Sequence, residues 1–203
     1  MTGAMQPAWE LLIKRYRCQH GLTQQEMGCL LSVSQKTISR WEGGENKPSV
    51  AQQKQFRDLY REPSSPISGV LRAAVHHCPA SRSLCRLENL NLQALSQPAI
   101  AKRPSIVNWI GCSLVPLACG VLSEMLDDGE VQRSVASGEI ACVNAVTRSV
   151  LQVPENPVNG TYRTTISFFR IEGVLLCDAI SLPAPGDLTQ GYWAVPLDGL
   201  ADA

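Results

Sequence analysis

The chain has no long hydrophobic run. No stretch approaches the roughly 18 apolar residues that cross a bilayer as a helix, so no membrane segment is expected. Its start, MTGAMQPAW, lacks a basic cluster followed by an apolar run, which predicts no signal peptide. An excess of one charge is missing too. Eighteen Lys and Arg stand against eighteen Asp and Glu, and this balance does not point to a polyanionic partner for the chain as a whole. Histidine is scarce at three residues, and no two of the eight cysteines are spaced C-x2-C. That removes the usual zinc frameworks, and no metal site is expected. Without a leader, the thiols should stay reduced and the protein should be cytoplasmic. No P-loop, no G-x-G-x-x-G run and no paired-carboxylate motif occurs. No enzymatic activity is expected.

What is present is unevenly distributed. The 203 residues, 44% of them apolar, suffice for one large domain or two small ones. Residues 1–62 carry nine Lys/Arg against six Asp/Glu, a net of +3, and residues 63–203 carry nine against twelve, a net of −3. A basic head on an acidic body fits DNA binding confined to the head.

The head reads as helices. Trp9, Leu12, Ile13 and Tyr16 recur at helical spacing, which predicts a helix over 7–19. Thr23 and Glu26 form a T-x-x-E capping box at the start of a second helix. This helix is expected to bury Met27 and Leu30, with Gly28 admitting a close neighbour. Ser32-Val33-Ser34 makes a turn, and Ser34 caps a third helix. Ile38 and Trp41 face inward there, while Gln35, Lys36, Ser39 and Arg40 face outward. Gly43-Gly44 ends it, and Pro48-Ser49 opens another helix with Val50, Phe56, Leu59 and Tyr60 as apolar positions. Cys18 and Cys29 are expected as small buried hydrophobes.

The run GLTQQEMGCLLSVSQKTISRWEGGENKPS resembles the helix-turn-helix of the lambda-repressor/Cro-like (XRE-type) family over about residues 8–62. The resemblance implies a bundle of four or five helices that places the third in the major groove of double-stranded operator DNA. By it, Gln24 would hold a phosphate. Gln35 and Lys36 would reach base edges, and Arg40 a base or flanking phosphate. Ser34, Thr37, Ser39 and Lys47 complete the implied DNA-binding set. Arg17 and Glu42 would form a structural ion pair. Gly43 departs from the family, where Asn is frequent, and this puts one phosphate contact in question. Against all of this stands the plainer fact that such bundles also occur in proteins that never touch DNA.

Residues 63–80 read as a linker, Pro63-Ser64-Ser65-Pro66, followed by a bridging helix with Val70, Leu71, Ala74 and Val75 on one stripe. Beyond it come two short extended runs, 83–87 and 90–95, then a helical middle over 96–126 and a polar stretch after Asp127-Asp128-Gly129. Three longer strands follow at 140–150, 162–171 and 173–182, the last two joined at Glu172-Gly173. This order resembles a PAS domain over about 81–185. The resemblance implies an α+β body with a five-stranded antiparallel sheet, helices on one face and a pocket near Trp109. Residues 186–203, with Tyr192 and Trp193, are expected as a packed tail.

Other chemistry is weaker. His76-His77-Cys78 with Cys85 matches no zinc spacing. Cys112 and Cys119 would share a side of one helix, but Pro116 lies between them. The flavin-photosensor form of PAS needs an N-C-R-F-type motif, which is absent, and no histidine in 96–130 could serve a haem. No cofactor is expected. A self-cleaving Ser/Lys domain lacks its parts, since Lys102 is the one lysine of the body.

The sequence therefore predicts a DNA-binding transcriptional regulator that binds a palindromic operator as a homodimer. Its body would dimerise and answer a small-molecule or protein effector. The alternative kept open is an antitoxin-like or adaptor protein whose body grips a protein partner and whose head autoregulates.

Overall fold

The computed structural model describes residues 9–61, 69–148, 151, 153 and 160–197. The helix start at Pro7, the linker over 62–68 and the last six residues lie outside them.

Four helices make the head: α1 (Trp9–Gln19), α2 (Gln24–Leu30), α3 (Gln35–Glu42) and α4 (Val50–Asp58). Each start after the first is fixed by a side chain that satisfies a free backbone N–H. Thr23 and Glu26 bond reciprocally at α2, Ser34 accepts from Thr37 N at α3, and Ser49 and Gln52 form a second capping box at α4. Trp9, Leu12, Ile13, Met27, Ile38, Trp41 and Phe56 fill the centre. Three expectations fail here. Leu30 is 50% exposed and Leu31, at the cap of α2, is buried in its place. Val50 lies in the first turn of α4 and faces solvent. Cys18 and Cys29 are exposed. In each case the helix ends or turns a residue away from the extrapolated stripe.

The body begins with α5 (Gly69–His76), which packs on strands rather than spanning a gap. Of its predicted stripe, Val75 is buried and Val70 is 81% exposed. The strands are β1 (Ser81–Arg86), β2 (Asn91–Leu95), β3 (Ile140–Thr147), β4 (Thr161–Ile171), β5 (Val174–Ala184) and β6 (Gly191–Pro196). They form one antiparallel sheet in the order β2-β1-β5-β4-β3-β6. The first five reproduce the PAS-like arrangement, and the sixth corrects the expected five. The supposed tail supplies that edge strand, with Tyr192 opposite Ala145 and Trp193 opposite Asn144. Glu172 and Gly173 both take positive φ, the conformation of a two-residue hairpin turn between β4 and β5.

Alternation divides the sheet into two faces. On the inner face lie α6 (Gln97–Lys102), 3-10 turns at Pro104–Trp109 and Val115–Leu117, α7 (Val121–Asp127) and α8 (Gly129–Ser137). The polar stretch expected after Asp128 is in fact α8. Asp128 caps it by accepting from Glu130 N and Val131 N at 3.0 and 3.2 Å, and Tyr192 Oη donates to its other oxygen at 2.7 Å. That phenol and the two amides hold the Asp128 carboxyl below its ordinary value. Among the described residues no helix is long and apolar enough to cross a membrane.

The head's core is continuous with the body's. Tyr60 touches Phe56 and Tyr16 on one side, with ring centroids 5.4 and 5.0 Å apart, and Trp109 of the body on the other at 6.0 Å. Residues 111–114 form a connecting strip between the two. Gly111 N donates to Leu92 O at 2.7 Å and Leu92 N to Cys112 O at 3.0 Å, which joins the strip to β2. Ser113 N donates to Tyr60 O at 3.0 Å and the Cys112 thiol to Arg57 O at 3.4 Å, which joins it to the head. Arg15 Nη1 adds a bond to Pro116 O at 2.7 Å.

Candidate nucleic-acid interface and the cavity behind it

The outward face of α3 is held rigidly by its inward one. Ile38 and Trp41 are 0% and 3% exposed, which fixes the rotation of the helix. Gly28 fixes its approach. A Cβ there would lie 2.7 Å from Val33 O, so a side chain would push the turn away from α2. Gln35, Lys36, Ser39 and Arg40 are consequently all exposed on one side, with Lys47 in the loop after α3 exposed as well. Arg40 meets Glu45 at 3.7 Å, with side chains 48% and 68% exposed, a contact that water screens heavily.

Three of the implied DNA-binding residues have internal partners. Ser34 Oγ and Thr37 Oγ1 share a hydrogen bond of 2.9 Å as part of the cap. Gln24 Nε2 donates to Glu42 Oε2 at 2.9 Å. Glu42 also accepts from Arg17, Nε to Oε1 at 2.6 Å and Nη2 to Oε2 at 3.2 Å, and Arg17 Nη1 donates to Leu22 O at 3.0 Å. One carboxylate thus ties α1, α2 and α3 together. Burial alone would raise the Glu42 pKa. The hydrogen bonds from Arg17 and Gln24, with the charges of Arg17 and Lys14, outweigh it and hold the carboxyl below its ordinary value.

The body approaches the head from the α1 and α4 side. The α3 face is left open. Trp109 belongs to that contact and is 1% exposed. It does not line the pocket, contrary to the expectation of a pocket near Trp109. The cavity, about 120 Å³, lies between the inner face of the sheet and α6 and α7. Its strand residues change character along its length. Ser81, Ser181 and Thr164 lie at one end, then Ser83, Ala179 and Ile166, then Cys85, Cys177 and Phe168. Lys102, Arg103 and Tyr162 line the cavity too, and Lys102 Nζ sits 5.0 Å from the Tyr162 ring centre.

The cysteines pair differently from the sequence expectation. Cys112 and Cys119 flank a 3-10 turn, so helical spacing does not relate them. Cys85, suggested with His76-His77-Cys78, instead faces Cys177 across β1 and β5. Their hydrogen bond, then burial, pushes the Cys85 thiol up, which keeps it protonated and inert. Nothing in the spacing of residues 85 and 177 signals this contact, because only strand register makes it.

Residues 13–52 fit the model of the Helix-turn-helix family. The head is a helix-turn-helix and the body is PAS-like in fold. Solved structures similar to the chain include a PAS domain from a two-component sensor histidine kinase, 9% identical, with a TM-score of 0.39 over 57% of this chain and 94% of that one. A PAS domain of an HTR-like protein from Haloarcula marismortui is 15% identical, with a TM-score of 0.38 over 57% and 89%. An RNA-binding Light-Oxygen-Voltage receptor is 14% identical, with a TM-score of 0.41 over 85% of this chain and 53% of that one. No curated protein matches.

Proposed function

We propose that the protein is a sequence-specific DNA-binding transcriptional regulator whose PAS-like body dimerises and senses a small molecule. The observation that carries this is the open face of α3. Gln35, Lys36, Ser39 and Arg40 stand exposed together on a helix whose rotation is locked, while the body occupies the opposite side of the head. Gln35 prefers adenine and Lys36 guanine edges in the major groove, and Ser39, Arg40 and Lys47 take flanking contacts. Gln24, Arg17 and Glu42 support the helix-turn-helix from behind. Gln24 reaches a phosphate through its second amide hydrogen at most.

A single small head covers one half-site. Two heads on a dimer read a palindrome with centres about 34 Å apart, one helical turn. The part of the sheet's outer face that α5 leaves uncovered suits a second copy. Leu182 and Trp193, 54% and 52% exposed, stand there beside Ile180 and Val195. A different protein seated on that face is the adaptor alternative.

The test is selection from a random duplex pool by the full chain, followed by footprinting and native mass spectrometry. A two-fold symmetric motif, protected by a dimer, supports the proposal. Retention of a stoichiometric foreign protein favours the adaptor, and absence of any enriched duplex removes the DNA function.

A further inference from the structure

The cavity holds an asymmetry that apolar packing does not require. Three neighbouring strands, β1, β5 and β4, all run from hydroxyl side chains at one end to thiol and aromatic side chains at the other. Thr164 and Ser181 hydroxyls bond to one another at 2.9 Å at the polar end. Arg103 lines the cavity half-buried, and no described residue forms an ion pair with it. Burial pulls its guanidinium below the ordinary value, and Tyr162 and Cys119 offset only part of this. A cation in this setting gains most from a fixed anion, because the low dielectric that penalises it alone strengthens its pairing. Lys102, exposed above the Tyr162 ring, adds a second positive charge nearby.

Size and lining restrict the anion. A dry apolar cavity of about 150 Å³ admits benzene, whereas drug-sized ligands occupy about 300–1,000 Å³. At about 120 Å³, this one suits a compact molecule. The apolar part, with Leu122, Met125, Ile166 and Phe168, has no use for a highly charged ligand such as a phosphate ester. A planar carboxylate matches the guanidinium fork through two parallel N–H donors.

We propose that the body binds a small apolar carboxylic acid, an aryl or branched-chain acid whose hydrocarbon part is no bulkier than benzene, with the carboxylate on Arg103 and the hydrocarbon toward Cys85, Cys177 and Phe168. This rests on the sensor reading of the body. Binding is read without DNA, so its failure and the failure of operator recognition are separable. The acid would also sit against Ile106 and against Leu114, the last residue of the strip 111–114 that grips the head, and so has a short route to the operator.

The experiment is calorimetry and thermal unfolding of the full chain with benzoate, benzamide, 3-methylbutanoate and inorganic phosphate. Benzoate or 3-methylbutanoate should bind saturably and raise Tm, and benzamide should bind at least about tenfold more weakly because it lacks the charge. Arg103→Gln should weaken acid binding by about tenfold or more, and Lys102→Gln by less. Ala179→Leu, which fills the cavity and leaves both cations, should abolish binding, and it serves where Arg103→Gln fails to fold. Equal binding of benzoate and benzamide, phosphate binding alone, acid binding indifferent to Ala179→Leu, or no binding by either acid would overturn the proposal.

Discussion

The two sides of the head are built for opposite ends. On one side, α3 presents amide, ammonium, hydroxyl and guanidinium groups to solvent, and the contact it does make, Arg40 with Glu45, is long and exposed. On the other, α1 and α4 are sealed against the body by the tilted rings of Tyr60 and Trp109, a buried thiol and three backbone carbonyls that accept from across the boundary. One side is free to meet another molecule. The other is committed within the chain, and its commitment passes through Trp109 and the strip 111–114. The difference shows why the same small bundle can serve as both a reading head and an anchored part. The charged and amide groups of the α3 face stay hydrated until a polar partner replaces that water, while separating the other face would expose apolar surface.

The comparison can be broken most severely at Trp109. Trp109→Ala removes a fully buried ring and should cost about 4 kcal/mol. Chemical denaturation should then show head and body unfolding in separate transitions where the parent shows one. Next is Gly28→Ala, which drives a Cβ into Val33 O and should cost about 2 kcal/mol. It should also misplace α3, weakening DNA binding further than the lost stability accounts for in an assay at a temperature where the variant stays folded.

Glu42 offers a finer cut. Its folded-state pKa is lowered, so its contribution is present above the ordinary carboxylate range of about 4.3 and is lost as pH falls through the folded value. Glu42→Gln should cost about 1.5 kcal/mol at neutral pH and should flatten the acid limb of the stability–pH curve measured by circular dichroism. An acid limb equally steep in the variant would assign the loss elsewhere. The smallest effect belongs to Arg40→Ala. It should leave Tm within experimental scatter, since the Glu45 contact is screened. It should reduce operator affinity several-fold and lower the salt slope by about one counterion, as anisotropy titrations over a salt series would report.

Much of the head was legible in the sequence, because its signals are local. Capping residues, the glycine at the crossing and the apolar pair Ile38 and Trp41 act within a few positions of one another. The bond from Gln24 to Glu42 was not legible, because only the fold brings Glu42, eighteen residues on, within 2.9 Å of that amide. The body was legible as an order of strands, since alternation marks β4, and an apolar run after the Glu172-Gly173 turn marks β5. β6 escaped because six residues after a proline- and glycine-bearing loop look like a tail until β3 pairs with them. α8 escaped because its exposed polar face masks a single buried position, Val135. The cavity's graded lining, the Cys85–Cys177 contact and the placement of Trp109 toward the head are products of register and packing. Sequence spacing carries no trace of them.

Base reading by the α3 face is tested by a base-resolved specificity profile of the full chain beside the Gln35→Ala, Lys36→Ala double variant. The wild-type chain should select two inverted half-sites about one helical turn apart. The variant should lose discrimination at the contacted positions of each half-site, about 1–3 kcal/mol per base contact, while melting at the same temperature. An unchanged preference in the variant, with the same half-sites selected at the same strength, would contradict the account.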